Sequence, residues 1–163
     1  MSTELLIFNS DLKEFPSTII ATPQTQSDEQ AQDTSSNDRS STRLIERIIL
    51  SNNLIAVSPQ RLSSCPALRV LDLSYNRLSS LPGNLSSAAP RLEKLILNNN
   101  RFTDLRFLEG EVSCGSLQSL WIQHNEISAL EATARSLQSG CPSLRVLVMH
   151  ANPRSEERRV GKD

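Results

Sequence analysis

The sequence predicts an α/β solenoid, with a parallel β-sheet on its concave face and short helices and irregular turns on its convex face. Three observations carry this. One pattern, L-x-x-L-x-L-x-x-N-x-L, recurs in register along most of the chain. Asparagines recur with it at nearly constant spacing. Large rings are scarce, at 4% aromatic against 37% hydrophobic residues, so leucine and isoleucine must fill the interior, as suits a stack of small equivalent layers.

The clearest copy runs from Leu68 through Leu71, Leu73 and Asn76 to Leu78 and matches every specified position. The next uses Leu92, Leu95, Leu97, Asn100 and Phe102, and another Leu117, Leu120, Ile122, Asn125 and Ile127. An earlier copy uses Ile45, Ile48, Leu50, Asn53 and Ile55. A later one uses Leu144, Leu147, Met149 and Asn152, after which Pro153 ends the match. The asparagine gaps are 76−53=23, 100−76=24, 125−100=25 and 152−125=27, a period of the ~20–29-residue class.

The chain divides accordingly. Residues 1–16 read as a degenerate first repeat or N-terminal cap: Leu5 and Ile7 point inward, Ser10 stands where Asn is expected, and Leu12 to Pro16 align with Leu78 to Pro82. Residues 17–43 read as a disordered polar insert. From Thr22 to Thr42 only Pro23 and Ala31 are apolar, too little to offset the entropy of ordering. Residues 44–153 hold five repeats, and 154–163 form a charged tail outside the pattern. The run from Ser155 to Lys162 resembles adapter-derived read-through, and without a cap the last turn leaves Leu147 and Met149 beside an open strand edge.

Alternation along a strand sends the leucines of L-x-L inward and the x residues to the concave face. The asparagines should pair backbone groups that would otherwise be buried unsatisfied, building a ladder. The last return segment predicts a helix at about 129–139: Ser128 to Glu131 matches a capping box, and Gly140 marks a stop with Pro142 beyond. Ser58 to Ser64 suits one helical turn, and Pro82-Gly83 suits an irregular return. Cys65, Cys114 and Cys141 each lie three residues before a repeat's first leucine. With no chelating pair and an odd count, they read as buried packing rather than ligands or disulfides.

Residues 45–153 resemble the leucine-rich-repeat superfamily, and more closely its short intracellular class, typified by a phosphatase-1 regulatory subunit. Phe102 to Leu108 and Asn125 to Leu130 look like that class's connection. Ser139 to Leu147 is similar to the Cys-Pro-x-Leu turns of acidic nuclear phosphoproteins and tubulin-folding cofactor E. The order of the last three turns also resembles the leucine-rich melanocyte differentiation-associated protein. Asn152-Pro153 looks like the start of the class's C-terminal cap, cut off here. The repeats depart from the class in varying in length and in lacking an acidic tail and ubiquitin-like or cap modules. The resemblance implies a scaffold or adaptor for protein partners.

The concave positions form columns: Arg47, Val70, Lys94, Ser119, Val146; Ile49, Asp72, Ile96, Trp121, Val148; and, beside the asparagines, Asn52, Tyr75, Asn99, His124, Ala151. The sole Trp, the sole Tyr and both histidines (His124 and, just outside these columns, His150) map to this face, and exposed aromatics are what an interface hot spot uses. The expected partner-binding residues are Arg47, Ile49, Asp72, Tyr75, Lys94, Ile96, Trp121, His124 and Val148, with Arg47, Asp72 and Lys94 giving charge selectivity.

Other functions fit less well. Asp72 and His124 lie two turns apart, about 10 Å at a strand spacing of ~4.8 Å, and Cys114 belongs to the convex side. No catalytic residues, metal ligands or cofactor are expected. Tyr75 and Trp121 could stack bases, but no basic stripe exists to attract phosphate, and the net charge is −1. Direct nucleic-acid contact is therefore not expected, although a ribonucleoprotein component or a regulatory subunit of an enzyme complex remains an alternative. No apolar run reaches the ~18 residues of a membrane span, and the N-terminus lacks a basic start and an apolar stretch of ~7–15 residues. These features predict a monomer, or a subunit of a hetero-complex, in the cytoplasm or nucleus. A secreted receptor fragment is the weaker alternative, resting on the sequon Asn84-Leu85-Ser86.

Overall fold

The computed structural model describes residues 3–7, 9–16, 45–58, 62, 64–109 and 113–153. The polar insert from Thr22 to Thr42, the tail from residue 154 and most of the return at 58–64 lie outside them.

Six strands form one parallel sheet in chain order: β1 (Thr3–Leu6), β2 (Ile45–Ile49), β3 (Val70–Asp72), β4 (Lys94–Ile96), β5 (Ser119–Trp121) and β6 (Val146–Val148). Parallel neighbours in chain order require each connection to run back over the convex side, which is the solenoid turn. The inward column reads Leu5, Ile48, Leu71, Leu95, Leu120 and Leu147 by strand register. From Ile48 to Leu120 it is buried, together with Leu50, Leu73, Leu97 and Ile122 two positions on. Leu147 is 39% exposed and Val146 44%, because no described strand covers β6.

β1 extends the ladder to the N-terminal side. Leu5 sits beside Ile48, and the Ile7 amide donates to the Ile49 carbonyl at 2.9 Å. Asn9 has φ 52°, the left-handed geometry that Asn52 adopts at φ 55° one turn later. Phe15 closes this end and is buried in the common core.

The asparagine ladder forms at all five positions. Asn100 donates from Nδ2 to the Leu73 and Leu97 carbonyls at 2.8 and 3.1 Å, and its Oδ1 accepts from the Leu78 amide at 3.0 Å. Asn76 and Asn125 repeat this one turn to either side. Asn152 bonds the Ile122 and Met149 carbonyls and the Ile127 amide. Asn53 reaches back to the Ile7 carbonyl and the Leu12 amide. Each side chain thus satisfies buried backbone groups of two successive turns.

On the convex side the expectations need three corrections. The return after Leu78 is not wholly irregular, since it contains a one-turn helix, α1 (Leu85–Ala88). The long helix, α2, runs Leu130–Gly140, and no side chain caps its start: Ala129 is the N-cap residue, so the capping box at Ser128 does not form. Gly140 closes the helix from within, with Cys141 as the C-cap residue. Its role is close packing. A Cβ there would strike the carbonyl oxygen of Leu108, at the end of the 3₁₀ turn Arg106–Leu108. Gly140→Ala should therefore lower stability by about 2–3 kcal/mol as an overpacking cost, read as a lower urea midpoint. An unchanged midpoint would mean that α2 shifts freely off this turn.

Asn84 ties its own return to the preceding one. Its Oδ1 accepts from the Leu62 amide and its Nδ2 donates to the Leu62 carbonyl, both at 3.0 Å. Both ends of this amide are thus engaged in the folded chain.

Candidate functional site

The concave columns assemble in the anticipated register. Arg47, Val70, Lys94, Ser119 and Val146 are consecutive strand partners, as are Ile49, Asp72, Ile96, Trp121 and Val148. The sheet adds one member to each column that the sequence reading did not include, Glu4 beside Arg47 and Leu6 beside Ile49. Leu6 is 49% exposed, so the row of larger concave side chains begins one turn earlier. The signal was present in the spacing of Leu5 and Ile7, whose flanking residues must face the other way.

The third column lies where the strands turn. Asn52, Tyr75, Asn99, His124 and Ala151 all have φ between 54° and 57°. A left-handed backbone is well tolerated by asparagine, whose short amide bonds locally, and poorly by a bulky ring. Asn9, Asn52 and Asn99 follow that rule, histidine too is enriched in this region, and Tyr75 is the bulky exception. Tyr75 nevertheless exposes 55% of its surface, so no burial offsets its conformational cost. His124 meets His150 edge-on with ring centroids 5.7 Å apart.

The charged members are less free than the sequence implied. Arg47 pairs with Glu4 at 2.8 Å. The Lys94 ammonium lies 4.8 Å from the centre of the Trp121 ring, an attractive cation–π geometry. Asp72 accepts from the amide and hydroxyl of Ser74 at 2.9 and 2.6 Å. The first two contacts join adjacent parallel strands, whose like-facing residues stand only ~4.8 Å apart, whereas the Asp72–Ser74 bonds lie within one turn.

Between the aromatic positions lies a feature no sequence signal announced. Asn98 Oδ1 and Gln123 Oε1 are buried without a hydrogen-bond partner among the described residues. They occupy the same place in successive turns, one residue before Asn99 and His124. A buried acceptor left unpaired costs free energy.

Among the described residues no three His, Cys, Asp or Glu side chains group as a metal site, and no helix is long and apolar enough to cross a membrane.

A model of the leucine rich repeat matches residues 43–102, and a model of two leucine rich repeats matches residues 90–132. Together they span 43 to 132, which is 132−43+1=90 of 163 residues. The chain belongs to the leucine-rich-repeat superfamily. Domains of this superfamily generally mediate protein–protein interaction. The repeats are similar to geranylgeranyl transferase type-2 subunit alpha of Bos taurus, 33% identical over 101 residues, covering 62% of this chain and 18% of that one. They are also similar to podocan of Mus musculus, 28% identical over 127 residues (66% and 20%), and to mouse podocan-like protein 1, 35% identical over 97 residues (60% and 16%). The chain spans a fifth or less of the length of these relatives.

Proposed function

We propose that this leucine-rich-repeat protein is a non-catalytic scaffold or adaptor that binds a protein partner across its concave face. The reading rests on Tyr75: a large exposed ring, held in a backbone geometry that disfavours it, beside the row of Ile49, Ile96, Trp121 and Val148. The left-handed backbone belongs to the whole column and serves the ladder, since the Tyr75 amide and carbonyl bond Asn98 and Asn53; the exposed ring carried there is what points to recognition. Tyr75, Ile96, Trp121 and His124 form the centre of the contact. Lys94, Asp72 and the Arg47–Glu4 pair border it. The protein acts as a monomer or as a subunit of a hetero-complex, in the cytoplasm or nucleus.

The similarity to a transferase subunit favours a second reading, in which the partner is an enzyme and the repeats serve as its regulatory subunit. This places the same face against a different class of partner. Direct nucleic-acid binding is disfavoured, since Arg47 is paired and Lys94 lies over Trp121.

Affinity capture from native lysate tests the proposal, comparing wild type with Tyr75→Ala/Trp121→Glu after circular dichroism shows that both fold. A partner retained by wild type and lost by the variant supports the concave face. Identical capture by both moves the site elsewhere. Binding should also survive a rise in salt, whereas affinity for phosphate-rich nucleic acid falls steeply with it.

A further inference from the structure

Cys65, Cys114 and Cys141 occupy one place in their turns, three residues before Leu68, Leu117 and Leu144. In the intervening turn that place belongs to Ala89, three residues before Leu92. The convex column thus reads Cys65, Ala89, Cys114, Cys141, and all four are buried. Ala89 separates the first thiol from the second, while the second and third stand in adjacent turns.

The backbone fixes that adjacency. The Cys114 amide donates at 2.6 Å to the carbonyl of Gly140, the residue directly before Cys141. Adjacent turns are spaced at ~4.8 Å, within the Cα separation of about 4.4–6.8 Å that a disulfide spans. The two thiols are near enough to perturb each other: the neighbouring Cys141 side chain pulls the Cys114 thiol below its ordinary pKa, and Cys114 holds Cys141 above its own. Cys65, subject to burial alone, is pushed up. A groove of about 490 Å³ opens beside the pair, and Gly115, Ser116, Pro142 and Ser143, the residues that follow the two cysteines, are among its walls. Neither cysteine is among its walls and both are buried, so a reagent reaches the thiols when these turns open locally.

We propose that Cys114 and Cys141 are a modification site, a dithiol that oxidises to a disulfide joining the last two described turns, with a small-molecule disulfide such as oxidised glutathione as the oxidant. The Cys114 thiolate attacks one sulfur of that disulfide, whose S–S bond breaks as one glutathione leaves as thiolate and takes up a proton. Cys141 then loses its proton and attacks the Cys114 sulfur, displacing the second glutathione. Two protein thiols are oxidised by two electrons, and one glutathione disulfide is reduced to two glutathiones. The new bond closes the segment that carries β5 and α2, and with them Trp121 and His124, so oxidation fastens the turn that presents part of the concave face.

The full chain, treated with oxidised glutathione and then denatured, should retain one free thiol of three. Peptide mapping should find that thiol at Cys65 and a Cys114–Cys141 bridge. The oxidised protein should resist proteolysis within 114–141 more than the reduced one. Cys114→Ala and Cys141→Ala place in the column the residue that already fills it at Ala89, so both should fold, and neither should gain that resistance. Three free thiols after treatment, a bridge to Cys65, or stable glutathione adducts on both Cys114 and Cys141 would each overturn the assignment.

Discussion

Asn100→Ala should destabilise the protein by about 3–5 kcal/mol, since each buried backbone group left unpaired costs about 1–3 kcal/mol. The substitution strands the Leu78 amide and weakens the pairing of the Leu73 and Leu97 carbonyls, all within the packed interior. Those groups belong to two successive turns, so the loss falls on the coupling between repeats, on which a solenoid's cooperativity rests. Chemical denaturation followed by circular dichroism would show it, with exposed Ser80→Ala as a control expected within about 0.5 kcal/mol of wild type. A loss at Asn100 below about 1 kcal/mol would mean that water satisfies these groups and the ladder is not structural.

The second large effect concerns binding. Once a partner is in hand, Tyr75→Ala/Trp121→Glu should weaken its affinity at least about 100-fold, because central aromatic anchors are each worth roughly 2 kcal/mol or more. Folding should be little affected. Tyr75 is exposed, and a glutamate at 121 would meet the ammonium of Lys94 that now lies over the indole. Val57→Ala, on an exposed position outside the concave columns, should leave affinity unchanged. Equal affinity for the double variant and wild type would remove both rings from the interface.

The sheet was legible in the sequence because the pattern that identifies a repeat is the same pattern that packs it. An inward Leu at every second position sets the register, and the x residues follow without further information. Hence the two concave columns from Arg47 to Val146 and from Ile49 to Val148 are strand partners in the anticipated order. The convex side was less legible. The returns carry no fixed pattern, so the helix at Leu85–Ala88 was missed and the start of α2 was assigned to a capping box that does not form. Gly140 looked like a stop signal, whereas its place is set by contact with Leu108, thirty-two residues earlier (140−108=32), which local sequence cannot reveal.

The candidate site was legible in its membership but not in its energetics. Alignment of the turns put Tyr75 and His124 in a column with Asn52 and Asn99, yet only backbone angles show that the column is left-handed. The partners of Arg47, Lys94 and Asp72, and the unpaired acceptors of Asn98 and Gln123, depend on side-chain reach between turns. One signal could have been read further. The interval 141−114=27 equals the Asn125 to Asn152 period, so Cys114 and Cys141 had to be neighbours across one turn.

The most direct test of the concave-face claim is Tyr75→Asn, measured for stability and for partner affinity in the same preparation. Asparagine suits the left-handed backbone at this place, as at Asn52 and Asn99. Relief of strain should therefore raise stability by about 0.5–1 kcal/mol, while loss of the ring should weaken binding by at least about tenfold. A protein that becomes more stable and binds less well is the result this account predicts. Unchanged binding, with or without the gain in stability, would contradict it, because Tyr75 would then be an exposed ring that recognises nothing.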